Sequence, residues 1–219
     1  MDTPHAAHTA HVSPPAEDRH FGRATGGKVG MWMFIAQDGM AFGGLLLAYG
    51  LMRVWADHWP APGMKPNDVL GIGLTAVATF VLICSSVSMV MAVQAGQRAR
   101  KNALVGWLAL TILGGLTFLG IQAYEYTHLV THKGVGLTQG YFEGHALHPL
   151  FGATFFVVTG FHGMHVTAGV IYLSCILFGA TKGKYTQGGL SYSPVELVGL
   201  FWHFVDLVWI LVFTFIYLL

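Results

Sequence analysis

The chain is poor in charge: of its 219 residues only 10% are charged, whereas 54% are hydrophobic. A soluble domain carries about 25% charged residues, so this composition excludes an ordinary water-soluble fold. The formal net charge is +1 with histidine neutral, and we find no basic patch of the kind that binds nucleic acid. We therefore expect a membrane protein without a nucleic-acid partner.

Cysteine and the familiar metal motifs are scarce as well. Cys84 and Cys175 both fall within apolar runs, so they indicate neither a disulfide framework nor a CxxC site. The sequence contains no HExxH motif, and no Glu-x-x-His pair recurs on two segments. These absences argue against zinc hydrolases and di-iron bundles.

Long apolar runs are abundant, and five of them reach the roughly 20 residues that a bilayer requires. We place them at 29–51, 69–95, 103–124, 150–180 and 195–219. They predict an all-α membrane bundle of five transmembrane helices, formed as one domain over residues 28–219. Ser193, Pro194 and Glu196 resemble a capping box with a helix-start proline, which predicts that the fifth helix begins at Pro194.

Basic residues indicate the orientation, because positively charged loops stay cytoplasmic. Eight of the eleven Lys and Arg residues lie before the first run, between runs two and three, or between runs four and five. This distribution predicts a cytoplasmic N-terminus and a C-terminus on the outer side. Residues 1–27 read as a disordered polar tail, in which weak metal binding is the alternative for His5, His8, His11 and His20.

Polar side chains inside the runs are the unusual feature, because such groups are costly in lipid and tend to pair or to mark a functional path. At 1.5 Å per residue, five of them reach a shared layer near the middle of the membrane: Asp38, His162, His165, His203 and Asp206. Glu125 and His128 form a polar pair at the outer end of the third run, close to water. We expect the His and Asp side chains of this layer to join helices by hydrogen bonds.

Two other roles remain open for this layer. The central histidines could ligate a haem or a metal between facing helices, and one carboxylate, above all Asp38, could conduct protons. Near the outer loop, Glu143 stands with a group of histidines that could bind zinc adventitiously or be ordinary interfacial residues: His128, His132, His145 and His148. Gly39 and Gly43 would allow another helix to approach closely, although glycine is common in membrane helices anyway.

The same segments resemble subunit III of the haem-copper oxidases. The resemblance is carried by GMWMFIAQDGMAFGGLLLAY, QAYEY, FGATFFVVTGFHGMHVTAGVIYL and FWHFVDLVWILVFTFIYLL, in order over about residues 28–219. The long form of that family has seven helices, and the five predicted here resemble the short bacterial form. The long form usually has glutamate where this chain has Asp38.

The resemblance implies a subunit of a bacterial inner-membrane oxidase with no catalytic residues and no haem, copper or other metal of its own. The redox centres would lie in partner subunits I and II. This subunit would pack on subunit I with Asp38 near it, hold phospholipid and support proton uptake. TGFHGMHV and TFFV resemble cytochrome c oxidases more than quinol oxidases. A quinol oxidase subunit, an accessory protein of a nitric oxide reductase and a free-standing haem or metal enzyme are the alternatives.

Overall fold

The computed structural model describes residues 26–137, 140–142, 145–186 and 192–219. Five long helices account for most of it: α1 (Gly26–Trp55), α3 (Ile72–Gln97), α4 (Lys101–Thr131), α5 (Pro149–Thr181) and α6 (Ser193–Phe213), the last continued by a π-helical turn (Thr214–Leu218). All five are long and apolar enough to cross a membrane. The predicted all-α bundle with five spans is confirmed.

Shorter elements connect the spans at the end of the bundle opposite Lys28. A one-turn helix α2 (Pro66–Val69) lies between α1 and α3. Strands β1 (Tyr141–Phe142) and β2 (His145–Ala146) form a small antiparallel hairpin before α5, which the apolar pattern did not predict. The proline at the start of α5 suits a helix beginning, and the ring of His148 accepts a hydrogen bond from Leu150 N at 3.3 Å.

The bundle is organised around α3, α4, α5 and α6. Sequential neighbours α3 and α4 pack together, α4 also packs on α5, and α6 closes the group by packing on α3 and α5. Helix α1 lies at one side, chiefly against α6 and α5. The core is dominated by fully buried aromatic rings, among them Trp202, Trp209, Phe118, Phe151 and Phe155.

Glycines let the helices approach closely around Trp202. A Cβ atom at Gly115 of α4 would lie 2.6 Å from Trp202 Cη2, and one at Gly169 of α5 would lie 2.9 Å from the same ring. Both contacts are shorter than carbon atoms tolerate, so the indole fits because these two positions lack a side chain. In α1, by contrast, Gly39 has only the Phe204 ring within reach, at 3.7 Å, and Gly43 has nothing within 4 Å.

Helix starts differ from the predicted bounds by up to three residues, and those of α6 and α1 bear on the sequence interpretation. Helix α6 begins at Ser193 with Tyr192 as its N-cap, and no side chain caps it, so the predicted capping box is wrong. The carboxylate of Glu196 instead pairs with Lys28 of α1 at 2.9 Å. Helix α1 begins at Gly26, slightly before the predicted boundary. The remainder of the predicted tail, residues 1–25, lies outside the described residues.

Candidate functional site

The side chains of the predicted polar layer at mid-depth lie in three separate environments. Asp38 of α1 meets His165 of α5, and His203 of α6 meets Ser86 of α3. His162 lies apart from both, among aromatic rings. The layer therefore holds helices together at particular contacts, and it does not form one continuous network.

Asp38 and His165 join the first helix to the fifth. Oδ2 of Asp38 lies 3.1 Å from Nε2 of His165, and both side chains are nearly buried. Oδ2 does not reach hydrogen-bonding geometry with this nitrogen, so the contact is a close polar approach and not a linear hydrogen bond. The Phe42 ring packs against the imidazole with its centroid 5.2 Å away.

The second ring nitrogen of His165, Nδ1, indicates where the protons of this contact lie. Nδ1 lies 2.8 Å from the carbonyl oxygen of Phe161, and since a carbonyl only accepts, Nδ1 must carry a proton. A neutral ring then presents a lone pair at Nε2 to Asp38. A further proton on either the carboxyl or Nε2 would make this close approach favourable. The pair can hold it as a neutral acid facing imidazole or as carboxylate facing imidazolium.

His203 and Asp206 lie one turn apart on α6, and only the histidine has a defined partner. Nδ1 of His203 lies 2.6 Å from the hydroxyl oxygen of Ser86 on α3. Ser86 also lies beside the Asp206 carboxyl, yet neither carboxyl oxygen reaches hydrogen-bonding geometry with any described residue. Asp206 is only 5% exposed. The polar neighbour of Asp206 is thus Ser86 of α3, and the expected hydrogen bond from Asp206 across the layer stays a prediction.

His162 is held by packing alone. It is fully buried, with the Trp209 ring centroid at 4.8 Å and the Phe118 centroid at 5.7 Å. Neither ring nitrogen has a hydrogen-bonding partner among the described residues. Its role in the described structure is that of an aromatic side chain in the core.

Glu125 and His128 do not form the outer-end pair that the sequence suggested. The Glu125 carboxylate is buried, where its two oxygens accept hydrogen bonds from Thr75 on α3 and from Tyr217 in the π-helical turn, both at 3.1 Å. The His128 ring instead stacks on that of Tyr124, with centroids 6.0 Å apart. Glu125 therefore joins three segments inside the bundle, and its predicted position close to water was wrong.

Hydroxyl groups of α3 are the partners that the sequence reasoning missed. Besides Thr75 and Ser86, Ser85 accepts a hydrogen bond from the Trp202 indole at 3.1 Å, and Ser88 lies 2.8 Å from the Thr111 hydroxyl. The signal was the segment ICSSVSM, in which three serines stand within one turn of an otherwise apolar run. Serines in membrane helices commonly join helices in this way.

The histidines were also considered as metal ligands. Over residues 26–137, 140–142, 145–186 and 192–219, no three His, Cys, Asp or Glu side chains lie close enough together to hold a metal ion. Near the outer end the rings of His128 and His132 are 5.1 Å apart, and those of His58 and His148 are 5.9 Å apart. Glu143 and the histidines of the N-terminal tail lie outside the described residues.

The chain has many relatives among known proteins. It matches the model of the family described as cytochrome c oxidase subunit III over residues 17–219. It is 36% identical over 190 residues to the probable cytochrome c oxidase subunit 3 of Mycobacterium leprae, covering 86% of each chain. Cytochrome c oxidase subunit 3 of Synechocystis is 35% identical over 209 residues, 94% of this chain and 82% of the relative. Cytochrome bo(3) ubiquinol oxidase subunit 3 of Pseudomonas putida is 31% identical over 191 residues, 87% and 84% of the two chains.

Proposed function

This chain belongs to the cytochrome c oxidase subunit III family and is subunit III of a haem-copper oxidase, and we propose that its role there is supportive, without chemistry of its own. In this proposal the chain braces subunit I, contacts subunit II within the same complex and supports proton uptake. The complex lies in the inner membrane of a bacterium and pumps protons. Haem and copper belong to subunits I and II, and phospholipid is what this chain binds.

The observation that carries the proposal is the bare face of α1. In the most apolar stretch of α1, 11% of the residues are buried, against 28–50% in the other four spans. One side of the helix packs on the bundle through Phe42, Leu46 and Tyr49. The opposite side bears exposed Met40 and Leu47. A helix held so lightly by its own chain is suited to being covered by another subunit.

Glycines on this face fit a protein partner better than lipid. A Cβ atom at Gly43 or Gly44 would meet nothing within 4 Å in the chain, so neither glycine serves packing within the bundle. Small residues let the backbone of a second helix come close, and they are enriched where membrane helices associate. We therefore propose that subunit I packs along the stripe formed by Met40, Gly43, Gly44 and Leu47, which we call the α1 face.

Asp38 lies on α1 just before this face, which supports a link to proton uptake. It contacts His165 on its inner side, so the pair joins the proposed docking helix to the core. A carboxyl and an imidazole are both groups that exchange protons, so the pair is suited to buffering or passing protons near subunit I without being part of the oxygen-reducing centre. Loss of the Asp38 carboxyl should therefore reduce the supply of protons or the lifetime of the complex during turnover, and leave the chemistry of oxygen reduction intact.

The electron donor is proposed to be cytochrome c. The support is the difference in identity between relatives: the two relatives named as cytochrome c oxidase subunits share 35–36% with this chain. The ubiquinol oxidase relative shares 31%. Oxidation of reduced cytochrome c by the purified complex, against oxidation of a water-soluble quinol, tests this choice directly.

The bracing role is tested with two matched glycine substitutions. Gly44→Leu places a side chain on the α1 face, and Gly120→Leu places one on α4, where a Cβ atom likewise meets nothing within 4 Å. Both glycines are exposed, and at both a Cβ atom points into open space. With the chain affinity-tagged and the complex extracted in mild detergent, the molar ratio of haem to tagged chain is measured.

We expect Gly44→Leu to lower that ratio several-fold and Gly120→Leu to retain it. Equal retention of haem by both variants would show that subunit I does not pack on the α1 face. A partner set that contained a nitric oxide reductase, identified by mass spectrometry of the purified material, would contradict the oxidase assignment of the complex.

A further inference from the structure

A cavity of about 300 Å³ opens between α3 and α6, at the end of the bundle where Lys28 lies. Its walls include Gln94 and Gln97 of α3 and Glu196 and His203 of α6. Glu196 stands in the first turn of α6, and His203 is about 10 Å deeper at 1.5 Å per residue. The cavity therefore leads from the predicted cytoplasmic surface towards the middle of the membrane.

The chemistry of the walls is unusual for a surface that meets lipid. Two carboxamides, a carboxylate and an imidazole share the cavity with aliphatic side chains. Gln97 and Glu196 stand at helix ends, whereas an ionisable group as deep as His203 usually faces a water-filled cavity or the protein interior. A volume of about 300 Å³ also accommodates on the order of ten water molecules.

His203 presents a free nitrogen at the deep end. Its Nδ1 is engaged with the Ser86 hydroxyl at 2.6 Å, and Nε2 has no hydrogen-bonding partner among the described residues. An imidazole nitrogen at the wall of a cavity requires a donor or an acceptor, which water supplies. The bond to Ser86 holds the ring in place to receive it.

Asp206 provides an independent observation one turn deeper. Its carboxyl is almost fully buried, and neither oxygen has a hydrogen-bonding partner in the described part of the chain. Ser86 lies beside both this carboxyl and His203. A buried carboxyl without protein partners is normally satisfied by ordered water, and the cavity lined by His203 lies one helical turn away.

We propose that this cavity is a water-filled inlet, open at the Lys28 end, that ends at His203 and continues through the Ser86 hydroxyl to Asp206. The ligand of this site is water, together with the protons that water exchanges. Among the described residues, Lys28 pairs with Glu196 at the mouth at 2.9 Å, Arg98 directly follows Gln97 of the wall, and Asp206 lies one turn beyond the deep end. The inlet would let a carboxyl in the middle of subunit III exchange protons with one side of the membrane.

Accessibility of single cysteines to a charged thiol reagent tests the inlet in the intact oxidase. The background carries Cys84→Ala and Cys175→Ala, and the test positions are Leu200→Cys, His203→Cys and Ser86→Cys. Leu200→Cys keeps the histidine, and Ser86→Cys nearly keeps the size of the side chain. Membrane vesicles are treated with a sulfonated methanethiosulfonate or with a lipophilic maleimide.

Two further cysteines calibrate the experiment. Asn102→Cys, in the exposed first turn of α4, shows that the vesicles present the correct end of the bundle to the reagent. Leu110 is exposed on the surface of α4 that faces away from the bundle, at nearly the depth of His203. Leu110→Cys therefore gives the labelling rate at a lipid-facing position. Thiols react as thiolates, which lipid disfavours, so a lipid-facing thiol reacts slowly with the charged reagent.

We expect the charged reagent to label Leu200→Cys and His203→Cys at least about tenfold faster than Leu110→Cys, with Ser86→Cys between them. Labelling of all three test positions at the rate of Leu110→Cys, with reaction only towards the maleimide, would show a groove filled by lipid or by a partner and would overturn the proposal. Labelling that stopped at Leu200→Cys would overturn it too, because water would not reach the histidine.

Discussion

Replacement of Asp38 by asparagine or by leucine tests whether its contact with His165 stabilises the subunit. Because Nδ1 of His165 donates to a carbonyl, Nε2 needs a donor opposite it. Asp38→Asn supplies an amide N–H, whereas Asp38→Leu leaves the nitrogen buried against apolar atoms. Hydrogen bonds between membrane helices contribute about 0.6 kcal/mol on average, and an unsatisfied buried polar group costs about 1–3 kcal/mol.

These magnitudes predict unequal effects of the two substitutions. Because the Asp38 carboxyl does not reach hydrogen-bonding geometry with His165, the native contact contributes no more than an average hydrogen bond between membrane helices. Asp38→Asn should therefore lower the free energy of unfolding by less than about 0.6 kcal/mol. Asp38→Leu should lower it by about 1–2 kcal/mol. Unfolding of the purified complex by increasing dodecyl sulfate measures both. In a His165→Leu background the excess cost of Asp38→Leu should disappear, because no nitrogen is left unsatisfied.

Activity gives the second readout. An assembled Asp38→Asn complex should keep most of its electron transfer to oxygen, with a modest loss in proton uptake or in lifetime during turnover. Equal destabilisation by asparagine and leucine, unchanged in the His165→Leu background, would refute the energetic reasoning. Complete loss of oxygen reduction in a fully assembled Asp38→Asn complex would identify an obligatory proton carrier and refute the supporting role.

Further predictions concern the outer end and the topology. Glu125→Leu should lower the free energy of unfolding of the complex by about 1–3 kcal/mol, because the hydroxyls of Thr75 and Tyr217 lose their acceptor. Glu125→Gln should lower this free energy clearly less. Gly152→Ala should deplete the chain from the membrane, because the new Cβ would meet the Gly136 carbonyl oxygen, while Gly163→Ala, with open space around it, should not; equal levels on an immunoblot would contradict this. A periplasmic reporter fused after Leu219 should be active, and cytoplasmic activity there would reverse the orientation.

The number and order of the helices could be predicted from the sequence because both follow from the apolar pattern along the chain, whereas α4 ends at Thr131, seven residues after its predicted end. Apolar length alone sets how many segments span a bilayer, and the rise per residue sets how deep Asp38 or His203 lies. Rotation about a helix axis and the choice of neighbour depend on all five helices at once. For this reason the sequence predicts how far along its helix each polar residue lies, whereas it does not predict the partners of that residue.

Asp206 illustrates the difference. A buried partner histidine was expected, and on that basis leucine would have weakened the subunit more than asparagine. The described structure gives the carboxyl no such partner, because the adjacent His203 turns to Ser86. The ordinary-looking serines of α3 provide the contacts, and nothing in a single sequence distinguishes a serine that faces a helix from one that faces lipid.

The position of α1 at the edge of the bundle has a consequence for biosynthesis. Its packing partners within the chain are chiefly α5 and α6, which leave the ribosome last. At roughly 5–20 residues per second, several seconds separate the emergence of Asp38 from that of His165. During this interval α1 crosses the membrane with its carboxyl unpaired and both faces uncovered. If α1 docks on subunit I as proposed above, a newly made subunit I can bind α1 before this chain has closed, and assembly of the oxidase then begins on an unfinished chain.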